Sequence, residues 1–227
     1  MVDAVMLQDS VIVAGHPRSG TSLACQLLTS AGVEFPSDFE GDDYNQAGYF
    51  ELEESKDLSK RLIDEAMTTE NTRDMNTLVR RLNDIEGFSG LKLVRIPALF
   101  FYRHIAKNLK VVFVFRRPEN VKASLLKRGI SGFPISWIDN NNASIAGHEN
   151  IEESILVSYE SMLDQADHVS EGFNKLGFDV DLSIVSRDQQ TQSNSDVYVT
   201  QDERNMYQHL RELETESCAS SDNSTFF

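Results

Sequence analysis

The stretch Val11-Ile-Val-Ala-Gly-His-Pro-Arg-Ser-Gly-Thr-Ser22 decides the fold of this chain. Its first four residues are apolar and predict a short buried strand, while the residues from Thr21 to Ala31 predict a helix. Between them lies a loop bounded by Gly15 and Gly20. A strand, a glycine-bounded loop and a helix N-terminus direct main-chain N–H groups at one point, so the stretch predicts a phosphate cradle.

The two glycines are spaced as in a P-loop, but the lysine of a P-loop is missing. Thr21 occupies the lysine position, and Arg18 inside the loop supplies positive charge instead. An enzyme that uses a nucleoside triphosphate needs that lysine on the terminal phosphates, so we expect a different phosphorylated nucleotide. The alternative interpretation is a plain glycine turn between a core strand and a helix, with Arg18 solvated.

The loop from Gly15 to Ser22 resembles the 5′-phosphosulfate-binding loop of sulfotransferases, which use 3′-phosphoadenosine 5′-phosphosulfate (PAPS). The family's 3′-phosphate-binding motif is Arg-x-Pro with a serine eight residues after the arginine, and Arg116, Pro118 and Ser124 match it. A planar guanidinium and a hydroxyl are suitable phosphate donors. The resemblance implies a single α/β domain with a central parallel sheet flanked by helices, the P-loop NTPase-like sulfotransferase fold.

The resemblance also implies ligands and binding residues. PAPS is the expected donor and 3′-phosphoadenosine 5′-phosphate (PAP) the expected product, with no metal ion. Relatives place a basic, glycine-containing loop near the C-terminus over the 3′-phosphate, and in this chain only Arg187 could serve in that way. The residues expected to bind the nucleotide are His16, Arg18, Ser19, Gly20, Thr21, Ser22, Arg116, Ser124 and Arg187.

The expected catalytic residues are Glu51, Arg18 and Lys92. Glu51 ends the segment from Gln46 to Glu51, which resembles a Gly-aromatic-Glu segment near the donor in bacterial-type sulfotransferases. A positioned carboxylate can take the proton of the acceptor as that acceptor attacks sulfur. The alternative is that Glu51 is only a negative charge at a helix N-terminus. Other candidates for the proton acceptor are Asp42, Asp43, Glu53, Glu54 and His16.

A second predicted strand, from Gly90 to Pro97, carries Lys92 and Arg95, where the family has a lysine and a basic residue before proline. A basic residue at the carboxyl end of a strand points into the ligand crevice of an open α/β sheet. One of the two could offset charge on the transferred sulfonate. The alternative for each is a surface cation. Lys127 and Arg128 end the helix of Ser124 and favour its dipole, so they need no further role.

The rest of the chain predicts an alternation of helices and strands. We expect helices around 52–67 and 75–85 with a polar turn from Thr68 to Arg73, and a helix from Pro97 to Asn108 with His104 facing inward. Val111 to Phe115 predicts a central parallel strand. Thr200 and Glu203 form a capping-box pattern. Residues 1–215 are expected to form the domain, and residues 216–227 a disordered tail.

Composition restricts the partners. The net charge of −15 argues against nucleic acid and against polyanionic acceptors, although a basic pocket can still hold a nucleotide. The two cysteines make no disulfide framework, no apolar run is long enough to span a bilayer, and the N-terminus does not resemble a signal peptide. We therefore expect a cytoplasmic location.

These observations predict an enzyme that moves a sulfonate from PAPS to a hydroxyl or amine. The acceptor is expected to be a small molecule, a glycan or a lipid, and the sequence predicts no oligomeric state. Two alternatives stay open. One is a P-loop kinase for a small metabolite, and the other is a non-catalytic nucleotide-binding protein.

Overall fold

A parallel β-sheet organises the computed structural model, which describes residues 3–41, 48–186 and 197–219. Within those residues the strands are β1 (Leu7–Gly15), β2 (Ser89–Leu93), β3 (Ala106–Phe115) and β4 (Ser154–Ser158). The helices are α1 (Thr21–Ser30), α2 (Glu53–Glu65), α3 (Thr69–Asn83), α4 (Leu99–Ile105), α5 (Pro118–Leu126), α6 (Trp137–Asn150), α7 (Tyr159–Leu163), α8 (Asp167–Lys175) and α9 (Gln201–Cys218).

The strand order is β2-β1-β3-β4, and all neighbouring strands are parallel. In register, Gly15 at the end of β1 pairs with Val114 of β3, and Phe115 at the end of β3 pairs with Ser158 of β4. The loops that follow β1 and β3 therefore begin side by side at the carboxyl edge of the sheet. In an open α/β sheet this edge is where ligands bind.

Both faces of the sheet are covered by helices, as the fold prediction required. Along β1, Val11 and Val13 pack into one apolar cluster with α1, α7 and α8. Ile12 and Ala14 pack into another with residues of α2, α3, α4, α5, α6 and α9. Alternate residues of a strand point to opposite faces, so an uninterrupted apolar strand is the pattern of a sheet buried on both sides. The predicted single α/β domain is confirmed.

Two local predictions between β1 and β3 are wrong. The segment from Thr68 to Arg73 is not a turn, because the Thr68 hydroxyl accepts from the N–H of Asn71 and α3 begins at Thr69. The helix expected to reach Asn108 ends at Ile105, because β3 begins at Ala106 and pairs with β1. His104 consequently lies in the last turn of α4, where it is exposed rather than inward.

Helix α9 covers the outer edge of β4 with side chains instead of a further strand. The N–H of Ser158 donates to Oε1 of Glu214 (2.7 Å), and the N–H of Leu156 donates to Oγ of Ser217 (3.1 Å). Glu214 is fully buried and also accepts from Nη1 of Arg211 (2.6 Å). An edge strand with satisfied N–H groups is a poor template for pairing with other chains.

The C-terminal boundary of the domain differs from the prediction. Helix α9 starts at the expected capping box of Thr200 and Glu203, but it continues to Cys218. Ser217 and Cys218 are buried against β4, so residues 216–218 belong to the domain and the tail prediction is wrong for them. The prediction for residues 220–227 concerns residues outside those that the structure describes.

The substitution Glu214→Ala is expected to lower the free energy of unfolding by about 2 kcal/mol, because it leaves a buried main-chain N–H and Arg211 without their carboxylate. Urea denaturation followed by circular dichroism measures this change. The control is Glu212→Ala on the exposed face of the same helix, which should change stability by less than about 0.5 kcal/mol. Equal stabilities of the two variants would contradict this role of Glu214.

Candidate functional site

The loop after β1 has the geometry of an anion cradle. Arg18 (φ 72°) and Gly20 (φ 96°) adopt left-handed conformations, and α1 begins directly afterwards at Thr21. The N–H groups of Thr21 and Ser22 lie in the first helical turn, where a helix offers no main-chain partner. The Ser19 hydroxyl is fully buried and has no hydrogen-bond partner in the structure. An anion within the loop would satisfy such donors.

The two predicted phosphate motifs lie in contact. Nε of Arg18 donates to Oγ of Ser124 (2.9 Å), and Nη1 of Arg116 donates to the carbonyl oxygen of Arg18 (3.3 Å). Ser124 lies on α5, which begins at Pro118 as predicted. About 100 residues of sequence separate the motifs. They form one continuous surface because β1 and β3 are neighbours in the sheet.

Tyr159 packs between the two motifs, and the sequence did not reveal this. Its ring centroid lies 4.1 Å from Cζ of Arg116, a cation–π distance. A Cβ atom on Gly20 would collide with the same ring, so Gly20 is required for space as well as for its backbone conformation. Tyr159 is the first residue of α7 after β4, so three strands contribute to the site.

His16 has a different environment from the other loop residues. It is buried, with its ring edge-on to Phe133, and its nitrogens lie 2.7 Å from the carbonyl oxygen of Pro17 and 2.9 Å from that of Ile135. Burial lowers the pKa of the imidazole despite these two contacts. The structure thus shows both ring nitrogens engaged by the main chain, and contact between His16 and a nucleotide stays a prediction.

Lys92 connects the cradle to the segment of Glu51. Nζ of Lys92 donates to Oγ of Ser22 (3.1 Å) and to the carbonyl oxygen of Tyr49 (2.8 Å), and it lies 2.9 Å from Oε1 of Glu51. The Lys92 side chain is 4% exposed, so these contacts hold a desolvated cation. The predicted catalytic lysine and carboxylate are therefore together, beside the N-terminal turn of α1.

The ionisation of Glu51 is fixed by two lysines. Burial alone would raise its pKa, but Lys92 and Lys56, the latter 3.4 Å from Oε2, outweigh burial and hold the pKa of the carboxyl below its ordinary 4.5. Cys25 of α1 is fully buried nearby, and burial raises the pKa of its thiol to about 12. Glu51 is therefore a carboxylate at neutral pH, whereas Cys25 is a protonated core residue.

The sequence also did not reveal the contact between Tyr49 and Arg128. Nη2 of Arg128 donates to the Tyr49 hydroxyl (2.7 Å), and the guanidinium lies 5.6 Å from the centroid of that ring. The pattern at the end of α5 had indicated only a favourable helix-dipole charge. A tertiary contact of this kind has no periodicity or spacing by which sequence could predict it.

The other predicted site residues have different surroundings or lie outside the described residues. Glu53 is exposed, and Glu54 is paired with Arg81 (2.9 Å). Arg95 immediately precedes a short 3-10 helix after β2 and is half-buried. Asp42, Asp43 and Arg187 fall outside the described residues, so their roles stay predictions.

No protein-family profile matches the chain, and no curated protein matches it in sequence. Solved sulfotransferase structures do match. The sulfotransferase domain of the Synechococcus PCC 7002 olefin synthase has a TM-score of 0.56 at 15% identity, covering 92% of this chain and 96% of that one. A Mycobacterium tuberculosis H37Rv sulfotransferase has a TM-score of 0.48 at 16% identity, with 93% of this chain and 78% of that one covered. A mouse sulfotransferase complexed with PAP has a TM-score of 0.44 at 13% identity, with coverages of 94% and 86%.

The first of these matches spans nearly all of both chains and shows that this chain has the sulfotransferase-like fold, as the two motifs implied. Among the described residues, no helix is both long and apolar enough to cross a membrane. The same residues contain no group of three histidine, cysteine or carboxylate side chains that could hold a metal ion.

Proposed function

We propose that this protein is a PAPS-dependent sulfotransferase, which moves a sulfonate to a hydroxyl or amine of an acceptor and releases PAP. The observation that carries the proposal is the 2.9 Å contact between Arg18 and Ser124. Arg18 belongs to the motif expected to bind the 5′-phosphate and Ser124 to the motif expected to bind the 3′-phosphate, so the contact joins the two motifs into one site. Arg116 extends this site through its hydrogen bond to the carbonyl oxygen of Arg18. Two phosphate-binding motifs side by side suit a nucleotide that carries phosphates at two positions.

The binding roles follow from the charges and donors of the cradle. Arg18 and the donors from Ser19 to Ser22 would hold the 5′-phosphate, including the buried Ser19 hydroxyl. Arg116 and Ser124 would hold the 3′-phosphate, and Arg187 stays a proposed contributor. The Arg116 side chain is already fixed by Tyr159, so little side-chain entropy would be lost when the nucleotide binds.

The transfer step requires charge stabilisation at sulfur and a proton acceptor. The acceptor oxygen or nitrogen attacks sulfur, a new bond to sulfur forms, and the bond between sulfur and the bridging phosphate oxygen breaks. Lys92, at the Ser22 end of the cradle, would stabilise the charge that develops on the leaving phosphate. Glu51 would take the proton, since a carboxylate has about four lone-pair sites and its two lysine contacts leave others available.

The kinase alternative is disfavoured by the environment of Ser22. In P-loop enzymes the lysine reaches the terminal phosphates and the following hydroxyl binds magnesium. Here Thr21 stands at the lysine position, and the hydroxyl of Ser22 accepts a hydrogen bond from Lys92. A cation that belongs to the protein is therefore already next to this hydroxyl.

Isothermal titration with PAP, and separately with ATP plus magnesium, tests the proposal. We expect PAP to bind without metal and with at least about 100-fold higher affinity than ATP with magnesium, because the 3′-phosphate adds a charged contact to the same cradle. Adenosine 5′-phosphate is the matched control ligand, since it lacks only that phosphate. Preference for ATP with magnesium would favour the kinase, and equal affinity for PAP and adenosine 5′-phosphate would contradict the second phosphate site.

A further inference from the structure

A short segment crosses the site between the cradle and the end of α5, and we call residues 48–51 the strap. Its main chain is bonded to the surrounding structure: the carbonyl oxygen of Tyr49 accepts from Lys92 (2.8 Å), and that of Glu51 accepts from the N–H of Asp38 (2.9 Å). The Glu51 side chain pairs with the same Lys92. The strap therefore carries Glu51 and supplies oxygen atoms to the ammonium group of Lys92, whose main chain is fixed in β2.

The strap is held in an unfavourable backbone conformation. Gly48 has a φ of 92°, which glycine tolerates, but Phe50 has a φ of 55°, which costs free energy for a residue with a β-carbon. A strained segment keeps its shape only if contacts around it over-determine that shape. The rings of Phe50 and Phe35 meet edge to face at 6.0 Å and provide one such contact.

Arg128 provides another contact. Its guanidinium donates to the Tyr49 hydroxyl at 2.7 Å, a charge-assisted hydrogen bond, and lies 5.6 Å from the centre of the ring. Tyr49 thus bridges the two basic residues: its hydroxyl accepts from Arg128 and its carbonyl from Lys92. Loss of the Arg128 contact would therefore remove one of the contacts that hold the residue whose carbonyl binds Lys92.

Arg128 also connects the strap to the proposed donor site. It lies in the turn that ends α5, two residues after Leu126 and four residues after Ser124, whose hydroxyl accepts from Arg18. The N–H of Arg128 donates to the carbonyl oxygen of Leu125 (2.9 Å), so its main chain is fixed to the helix. Helix α5 and the turn that ends it therefore carry a proposed phosphate ligand and the anchor of the segment that bears Glu51.

We propose that Arg128 is a positioning residue for sulfonate transfer, which acts through Tyr49 to hold the strap so that Lys92 and Glu51 stand at the Ser22 end of the cradle. This inference rests on the proposed function. Arg128 touches neither nucleotide phosphate in this scheme, so its loss impairs the transfer step and leaves PAP affinity intact.

The test compares Arg128→Ala and Tyr49→Phe with the unaltered protein in three measurements. PAP affinity is measured by titration. Turnover is measured as release of radiolabelled sulfate from sulfur-labelled PAPS, with water as acceptor, so that PAPS and water give PAP, sulfate and two protons. Mobility of the strap is measured as the rate of chymotrypsin cleavage after residues 49 and 50, followed by mass spectrometry.

Both variants are expected to release sulfate at least about tenfold more slowly and to be cleaved in the strap at least about tenfold faster, because each loses a hydrogen bond to a charged group. PAP affinity should not change. The double variant should be no slower than Arg128→Ala alone, since both changes remove one contact. Arg128→Lys should recover part of the turnover, and Lys127→Ala, an exposed neighbour, should behave as the unaltered protein.

Unchanged strap cleavage or unchanged turnover in Arg128→Ala would overturn the inference. So would a loss of PAP affinity as large as the loss of turnover, because that result indicates general damage to the site. If the unaltered protein neither bound PAP nor released sulfate, the proposed function itself would fail, and the transfer role of Arg128 would fail with it. These outcomes are distinguishable because the unaltered protein is measured in every assay.

Discussion

Replacing Arg116 with alanine is expected to abolish PAP binding, with affinity lowered by about 100-fold or more. Arg116 is 3% exposed, and its guanidinium is fixed between the Tyr159 ring and the carbonyl oxygen of Arg18. Losing one member of a buried, hydrogen-bonded charge pair costs about 2–5 kcal/mol, and each 1.4 kcal/mol is about tenfold in affinity. Titration of the variant with PAP measures the effect.

Two further variants make this result specific to the guanidinium. Arg116→Lys keeps the positive charge but loses the planar guanidinium, which can donate two parallel hydrogen bonds to a phosphate. Its PAP affinity should therefore lie between those of the alanine variant and the unaltered protein. Arg117→Ala removes the exposed neighbouring arginine, which lies 5.9 Å from the Tyr207 ring, and should leave affinity nearly unchanged. Near-normal PAP binding by Arg116→Ala would count against the whole nucleotide assignment.

The second large effect is expected from Glu51→Gln, which should lower the rate of sulfonate transfer by about 100-fold to 10,000-fold, the range for losing a positioned general base. PAP affinity should change little, because Glu51 contacts Lys92 and Lys56 and is not among the proposed phosphate ligands. Sulfate release from labelled PAPS gives the rate. Glu54→Gln is the matched control, since Glu54 is also ion-paired but with Arg81, away from Lys92.

The pH dependence of the same reaction separates a proton acceptor from a structural charge. A general base works deprotonated, so the rate falls as pH drops through its pKa. Lys92 and Lys56 hold the pKa of Glu51 below 4.5, so kcat/KM should stay constant from neutral pH down to about pH 5 and decline only below it. Glu51→Gln should remove this acid limb. A slow variant that retains the limb would assign the proton transfer to another group.

The local parts of the site could be predicted from sequence because each is a short pattern with a physical reason. A buried strand, a glycine-bounded loop and a helix start appear within the twelve residues from Val11 to Ser22, and Pro118 marks the start of α5. The adjacency of the two motifs depends instead on the strand order, in which β3 lies beside β1. The resemblance to a known family, and not periodicity, led to that expectation.

Other features escaped prediction because tertiary contacts determine them. The pattern after Pro97 favoured a helix to Asn108, but pairing of Ala106 with Leu7 extends β3 and ends α4 early. His104 consequently belongs to an exposed final turn. Tyr49 and Arg128 are in contact although 79 residues separate them in the sequence. The role of Tyr159 depends on the packing of its ring against Gly20. No local sequence pattern indicates either contact.

The cover that α9 provides for β4 has a consequence for the order of events during synthesis on the ribosome. Strand β4 leaves the ribosome well before α9, yet the N–H groups of Leu156 and Ser158 find their partners only on α9. During that interval the outer main-chain groups of β4 are unpaired, and another nascent chain nearby could form hydrogen bonds with them. We therefore expect shortened chains that stop before Glu214 to aggregate as they are made, although every proposed nucleotide ligand precedes α9 in the chain and has by then been synthesised.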